Sequence, residues 1–253
     1  MKRFLYVALG MVLFNACSDR PKSTGWSEED LKGRVKTASI KASYLADSSG
    51  IVAEEKVAFV TTIDFDDKGD RTQKNVYSSN GSLFSKNIYN YDAKAKQLEV
   101  GIYDGDDGSL LMKIISKYDS KGNKVEENRC FSEGSSCVKH VYKYDNKGNR
   151  VEESLYDVDG NLENKNICTY DSKGNRIEEN CYAIDGSLSW KSVNTYDDKG
   201  NLIEWSRYAS DGSLWQKAIH KYDYDKRGNW IVKTTYENDA PTYVEVREIE
   251  YFD

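Results

Sequence analysis

One segment of about 26 residues recurs along most of this chain, and that repetition constrains the fold more than any other feature. Each copy has two turn motifs: a "YDxKGN" box, and midway to the next box a glycine turn such as "DGSL". The glycines of the clearest boxes are at positions 122, 148, 174, 200 and 228. Earlier copies at 65–70 and 91–96 are less regular. Self-similarity at a fixed period is typical of a repeat array.

The two turns of each copy predict two β-strands. Asp-Gly and Asn-Gly between β-prone segments are strong hairpin signals because glycine accepts positive φ without steric cost. The intervening segments are rich in Val, Ile, Thr, Tyr and Trp, and their apolar residues do not follow helical spacing. The sequence therefore predicts an all-β fold over residues 32–253. In it, about seven tandem antiparallel hairpins form a twisted, extended or curled meander sheet, and the pattern does not fix whether that sheet closes.

The register of the hairpins depends on the type of turn. If the "KG" pairs are two-residue turns, Lys117 lies opposite Glu126 and Lys143 lies opposite Glu152. A type I turn followed by a bulge fits the Asp and Gly spacing as well, and it would shift the pairing.

Four cysteines follow Cys17 and allow two disulfides. A short loop centred on Glu133-Gly134 places Cys130 opposite Cys137, which predicts the first bridge. Elimination then pairs Cys168 with Cys181, although the same counting leaves these two diagonal to one another.

The N-terminus has the pattern of an export signal. Lys2 and Arg3 precede an apolar stretch at 4–14 that is too short to span a membrane. The residues "LFNAC" that end at Cys17 resemble the lipobox of bacterial lipoproteins. That resemblance implies a signal peptide at 1–16, a lipidated Cys17 and a polar tether at 17–31. The other interpretation is an ordinary secretory signal with a coincidental cysteine.

Composition argues against several functions. The formal net charge of −6 gives no electrostatic basis for binding nucleic acid. Histidine occurs only at His140 and His220, which we interpret as variation at exposed repeat positions. With so few histidines, we expect no zinc site and no other cofactor.

Two acidic patterns have simple structural explanations. The paired glutamates that begin at Glu126, Glu152 and Glu178 alternate between the faces of a strand, so the two carboxylates of a pair cannot converge on one bond. We interpret them as solvated strand charges. The segments 104–110 and 157–162 resemble calcium loops, but they lack the closing glutamate and are expected to be hairpin turns.

Aromatic residues offer the best candidate for a ligand surface. Four tryptophans occur in the last three units, and Tyr208 is expected to face Trp215 across a hairpin. Exposed aromatic rings on a repeat surface bind sugars or proteins, whereas paired rings within the sheet would only seal its end. The candidate ligand surface comprises Trp190, Trp205, Tyr208, Trp215 and Trp230.

The motif "YKYDNKGN" at 142–149, repeated as "CTYDSKGN" and "NTYDDKGN", resembles the YD repeats of the RHS family. The resemblance covers about residues 65–253 and implies hairpin-repeat architecture. The period here is longer than in that family, and a chain of this size has no room for its shell or toxin. Weaker matches resemble MORN-type hairpin repeats.

These observations predict a non-enzymatic, lipid-anchored protein of the bacterial cell envelope, at the outer membrane. Its hairpin repeats would form a binding scaffold for glycans or proteins. The alternative is a structural spacer that assembles through its first or last strand and binds no small molecule.

Overall fold

The computed structural model describes residues 25–45, 56–92, 96–132 and 136–253. It contains one short helix and sixteen β-strands. The elements are α1 (Gly25–Glu28), β1 (Val35–Tyr44), β2 (Lys56–Phe65), β3 (Arg71–Ser78), β4 (Leu83–Tyr91), β5 (Gln97–Asp104), β6 (Leu110–Tyr118), β7 (Lys124–Phe131), β8 (Cys137–Tyr144), β9 (Arg150–Tyr156), β10 (Leu162–Tyr170), β11 (Arg176–Ala183), β12 (Leu188–Tyr196), β13 (Leu202–Ala209), β14 (Leu214–Tyr224), β15 (Trp230–Glu237) and β16 (Ala240–Tyr251).

The strands form one closed antiparallel barrel in which each strand pairs with its neighbours in sequence. The barrel closes between β1 and β16, along a ladder that runs from Val35 opposite Tyr251 to Tyr44 opposite Tyr243. The predicted all-β hairpin architecture is therefore confirmed. The predicted extended or curled meander is wrong in one respect, because the sheet joins its own edges and has no free edge strand. The seven predicted hairpins would give about fourteen strands, two fewer than the sixteen observed in the described residues.

The "YDxKGN" boxes form five-residue turns that contain a bulge. In the box at Asp171, the Gly174 amide donates to the Asp171 carbonyl at 3.1 Å, and the Asp171 amide donates to the Asn175 carbonyl at 2.9 Å. Gly174 has a φ of 85°, which glycine accepts readily. The Asp171 carboxylate accepts the Asn175 amide at 2.8 Å. Of the two turn types left open by the sequence, the type I turn with a bulge is correct.

The predicted cross-strand pairs nevertheless hold. Lys117 lies opposite Glu126, and Lys143 lies opposite Glu152. Their ammonium and carboxylate groups are 2.6 Å and 2.8 Å apart, respectively. The bulge does not disturb these pairs because the register shift falls beyond them, at Tyr118 and Tyr144.

The two kinds of turn lie at opposite ends of the barrel. We call the end with the "YDxKGN" turns the YD rim and the end with the "DGSL" turns the DG rim. The DG-rim turn predicted around Glu133-Gly134 includes residues outside the described part of the chain.

The barrel has an inner face that carries most of its buried residues. Register places Ala38, Ile63, Val100, Met112 and Cys181 on this face, and all are buried. The larger of two buried hydrophobic clusters in the described residues lies near the YD rim and comprises Leu31, Val35, Ala38, Ile63 and Phe65. The outer face carries the alternating Lys and Glu residues, including the pairs Lys117–Glu126 and Lys143–Glu152.

The residues just before β1 pack against the YD rim. The Trp26 indole donates to the Val35 carbonyl at 2.6 Å, and a Cβ added at Gly69 would come within 2.6 Å of the same ring. The Lys32 amide donates to the Asn229 side chain at 2.6 Å. Residues 25–31, predicted to belong to the tether, are therefore part of the folded domain. Residues 1–24, which include the predicted signal and Cys17, lie outside the described part.

Within that part, no helix has the length and apolar character needed to cross a membrane.

The structure contains one of the two predicted disulfides. Cys130 lies opposite Cys137 in the β7–β8 ladder, and their sulfurs are bonded. Cys168 and Cys181 are buried and are not bonded to each other, so the second predicted bridge is corrected. Register explains the difference: Cys168 lies opposite Glu179, while Cys181 lies opposite Asn166. The two cysteines are thus diagonal, a geometry that separates their Cα atoms by about 7–8 Å, beyond the usual reach of a disulfide.

Candidate functional site

Both histidines lie on the inner face, so the prediction that they occupy exposed positions is wrong. His140 is 8% exposed, and its Nδ1 lies 2.7 Å from the Glu153 carboxylate. The Nδ1 of His220 lies 3.1 Å from the Thr235 hydroxyl. Burial, helped by the nearby charge of Lys233, lowers the pKa of His220 to about 4. His220 is therefore neutral at pH 7.

The paired glutamates point to opposite faces, as the alternation predicted. The first of each pair is on the outer face, where Glu178 bonds Lys191 at 2.6 Å. The second is on the inner face, where it pairs with a cation of its own strand. Glu127 lies 3.2 Å from Lys124 and 2.7 Å from Arg129.

The inner glutamates are therefore ion-pair partners, Glu127 buried and Glu153 and Glu179 half-buried, and not the solvated charges that the sequence predicts. Burial alone would raise the pKa of Glu127, but Lys124 and Arg129 outweigh it and hold that pKa to about 2. Glu153 and Glu179 repeat the arrangement with Arg150 and Arg176, at 3.8 Å and 2.7 Å, respectively. We call the inner face of β7, β9 and β11 the ion-paired wall.

The acidic turns at 104–110 and 157–162 use their carboxylates to cap backbone amides. The Asp157 carboxylate accepts the amides of Asp159 and Asn161 at 2.9 Å and 2.8 Å. Across the described ranges, no group of three or more His, Cys, Asp or Glu side chains is arranged to hold a metal ion.

The predicted ligand surface divides among three places. Tyr208 is on the outer face, opposite Lys191. Its partner across the hairpin is Leu214 and not Trp215, because a register shift makes Trp215 the extra residue of a bulge. Trp230 begins β15 at the YD rim, far along the barrel from the DG rim. The five residues therefore do not form one surface.

Three of the tryptophans share the inner side with an arginine that sequence reasoning missed. The Arg207 guanidinium carbon lies 3.9 Å from the ring centre of Trp190 and 5.4 Å from that of Trp215. Trp205 is on the same strand and face as Arg207, between Asn194 and Ala218. We call Trp190, Trp205, Arg207 and Trp215 the arginine–tryptophan cluster.

The cluster opens at the DG rim. Trp215 is 70% exposed although it is a large aromatic residue. Ile184, between β11 and β12, and Leu214, at the start of β14, are also strongly exposed at the DG rim. A ligand can therefore reach the cluster from the mouth of the barrel.

Arg207 could have been found by comparing repeats. It occupies the repeat position that Arg129 holds three units earlier, while Trp205 occupies the position of Glu127. The later unit thus has the same arginine with an indole in place of its carboxylate partner, while the two units between them have Leu155 and Cys181 at the arginine position.

A second arginine on an indole lies at the opposite end of the barrel. The Arg247 guanidinium carbon is 3.5 Å from the Trp230 ring centre, and its Nη2 donates to the Glu29 carbonyl at 3.3 Å. Burial lowers the pKa of Arg247 to about 10, although Glu29 and Asp30 oppose that shift. Because α1 and the residues after it cover this arginine, Trp230 is part of the packing of the YD rim.

Fold and site together define a sixteen-stranded closed β-barrel with a polar and aromatic inner face. No protein-family model and no curated protein match the sequence. Among solved structures, the chain is similar to a porin-like protein from Bacteroides uniformis ATCC 8492, with a TM-score of 0.55 and 11% identity over 85% of this chain and 96% of that one. At this identity the likeness concerns the fold alone.

Two further solved structures have lower TM-scores. A porin-like protein from Bacteroides vulgatus ATCC 8482 has a TM-score of 0.45 and 13% identity over 87% of this chain and 99% of that one. The Photorhabdus luminescens Tc holotoxin pore, mutation TccC3-D651A, has a TM-score of 0.30 and 12% identity over 83% of this chain and 16% of that one. Neither score supports an argument about this chain, so the YD-repeat resemblance still depends on the short motifs in the sequence.

Proposed function

We propose that this chain is a non-enzymatic binding protein of the bacterial cell envelope, and that it binds a glycan on the arginine–tryptophan cluster. The observation that carries the proposal is the exposure of Trp215 beside Trp190 and Arg207 at the mouth of the barrel. Indole rings offer large flat surfaces of the kind on which sugar rings stack. The fold similarity to a porin-like protein supports a place in the envelope.

We further propose that a lipid on Cys17 anchors the barrel while its outer face contacts water. Lysine–glutamate pairs run around that face, including Lys191–Glu178 at 2.6 Å and Lys217–Glu204 at 2.9 Å. A lysine on the lipid-facing side of a barrel costs about 2–4 kcal/mol near the middle of the bilayer. A face with many such residues favours attachment by a tether over embedding in lipid.

Fractionation of cells that express the full chain tests the anchor. We expect the wild type in the membrane fraction and the Cys17→Ser variant in the aqueous fraction. A Cys17→Ser variant that stays with the membrane would contradict the tethered arrangement.

The closed sheet removes the main argument for the spacer alternative. It required self-association through a first or last strand with free backbone groups, but β1 and β16 pair with each other. Light scattering at several concentrations should therefore give a constant molar mass.

A glycan array followed by calorimetric titration of the best binder tests the glycan proposal. Trp215→Ala and Trp190→Ala should each weaken binding by about 3–10-fold, the usual worth of an aromatic contact. Tyr208→Ala is the matched control, because Tyr208 is on the same hairpin but faces outward, and it should bind as the wild type does. Unchanged binding by both tryptophan variants would exclude the cluster as the site, and a protein partner would then become the better candidate.

A further inference from the structure

The inner face carries several arginines, and Arg207 differs from most of them in its partners. Salt bridges join Arg71 to Glu28 and Glu29, Arg129 to Glu127, Arg150 to Glu153, and Arg176 to Glu179. Among the ion pairs of the described residues, none includes Arg207. Its charge is held against two indole rings and is not neutralised by a carboxylate.

The two rings also control which part of the guanidinium is available. Trp190 and Trp215 lie near the guanidinium at 3.9 Å and 5.4 Å, and the Nε atom is buried without a hydrogen-bond partner. A guanidinium covered on its faces donates hydrogen bonds from its edge, in the plane of the group. The Nε atoms of Arg71, Arg150 and Arg176 are buried in the same way, so the ligand would accept from the terminal Nη nitrogens of Arg207 and not from its Nε. A hydrogen bond to a charged group contributes more than one between neutral groups.

The geometry suits a carboxylate better than a phosphate. The planar fork of arginine matches a carboxylate with two parallel hydrogen bonds. A phosphate monoester carries close to two negative charges at neutral pH, and Arg207 provides one positive charge. The Glu237 carboxylate adds a negative charge near the site, where it accepts from Gln216, the cross-strand neighbour of Arg207, at 2.9 Å.

We propose that the ligand is an acidic sugar of the uronic acid type, with its carboxylate on Arg207 and its ring against Trp190 or Trp215. This inference rests on the proposed glycan-binding function and adds the charge of the ligand. The tryptophans provide the stacking surface, and the arginine selects sugars that carry a carboxylate.

Calorimetry with tri-galacturonic acid and its fully methyl-esterified form tests the inference, because the two probes differ in charge and share the same sugar rings. The acid should bind at least about tenfold more tightly than the ester, as expected for a hydrogen bond to a charged group. Arg207→Ala should abolish this difference. Arg207→Lys should keep only part of it, because lysine provides a point charge without the planar fork.

Lys191→Ala is the matched control. It removes the same charge from the residue next to Trp190, but on the outer face, and should leave the preference for the acid intact. Equal affinity of wild type for acid and ester would overturn the inference while leaving the glycan proposal standing. Competition by inorganic phosphate at the same concentration as the acid would overturn the carboxylate assignment. Failure of both sugars to bind would count against both proposals.

Discussion

The hairpins β7–β8 and β13–β14 lie three repeat units apart and use the same backbone plan for different purposes. On the inner face of the first, Arg129 bonds Glu127 at 2.7 Å. In the second, Arg207 has the position of Arg129, but its neighbour is Trp205. On the inner face, Trp205 thus occupies the repeat position of Glu127, and among the ion pairs of the described residues none includes Arg207.

The two hairpins also differ at their DG-rim ends. Cys130 and Cys137 pair directly and form a disulfide, and no register shift interrupts their ladder. Tyr208 and Trp215 hold the corresponding repeat positions, and there the ladder shifts so that Trp215 is left unpaired in a bulge. The β7–β8 end is fixed covalently, whereas the β13–β14 end presents an exposed ring.

The largest loss of stability should come from removing the Glu127 carboxylate of the ion-paired wall. Glu127→Ala removes the buried carboxylate that the half-buried cations Lys124 and Arg129 contact, which should lower the free energy of unfolding by about 3 kcal/mol. Urea denaturation measures it. Glu126→Ala is the control, since it breaks only the outer-face pair with Lys117 and should cost less than about 1 kcal/mol. Equal losses in the two variants would show that the wall is not buried as described.

Acid should produce a loss of similar size through the same group. The folded pKa of Glu127 is about 2, below its ordinary value of 4.5. A depressed carboxylate pKa stabilises the fold fully above about pH 4.5, and this contribution disappears as the pH falls toward 2. Denaturation at a series of pH values should show the decline, and Glu127→Gln should be less stable at pH 7 but flatter over this range. If the stability of Glu127→Gln falls with pH as steeply as that of the wild type, other groups cause the acid sensitivity.

Reduction of the disulfide should have the next largest effect. Opening the short Cys130–Cys137 loop should lower the free energy of unfolding by about 2 kcal/mol, as expected from the entropy of closing a small loop. Urea denaturation with and without reductant measures this. The Cys130→Ser/Cys137→Ser variant should be insensitive to reductant. If reductant still destabilises this double variant, Cys168 and Cys181 form a second disulfide.

The smallest loss of stability is expected for Arg207→Ala, and comparing it with Arg129→Ala tests whether the two arginines have different roles. Arg129→Ala should cost about 2 kcal/mol because Glu127 loses a charged hydrogen bond. Arg207→Ala should cost about 1 kcal/mol or less, the usual worth of a partly exposed cation–π contact. Parallel thermal and urea denaturation of the two variants gives the comparison. An equal cost would mean that Arg207 is a structural residue and would weaken its assignment to ligand binding.

Much of the fold could be predicted because its signals are local. Asp and Gly in the turns set the hairpins, and a period of two along the strands placed Lys117 opposite Glu126. Closure could not be predicted, since it depends on twist accumulated over many strands and on the pairing of segments at opposite ends of the chain. The burial of Glu127, Glu153 and Glu179 was missed for the same reason, because an open sheet has no inside.

The candidate site was predicted only in part. Tryptophan content singled out Trp190, Trp205 and Trp215, but the bulge that turns Trp215 away from Tyr208 has no reliable sequence signal. Arg207 is not predicted by the common repeat pattern, because it occupies a position at which the copies differ. Its functional meaning appears only when Glu127 and Trp205 are compared at one repeat position.

The ladder between β1 and β16 sets the order in which this protein can be made. Val35 leaves the ribosome 216 residues before its partner Tyr251. Hairpins can form locally and early, but the final ring must wait for the whole chain and for the entropy cost of joining its ends. Until then two strand edges are open to other chains, so a protein of this design benefits from a chaperone during synthesis.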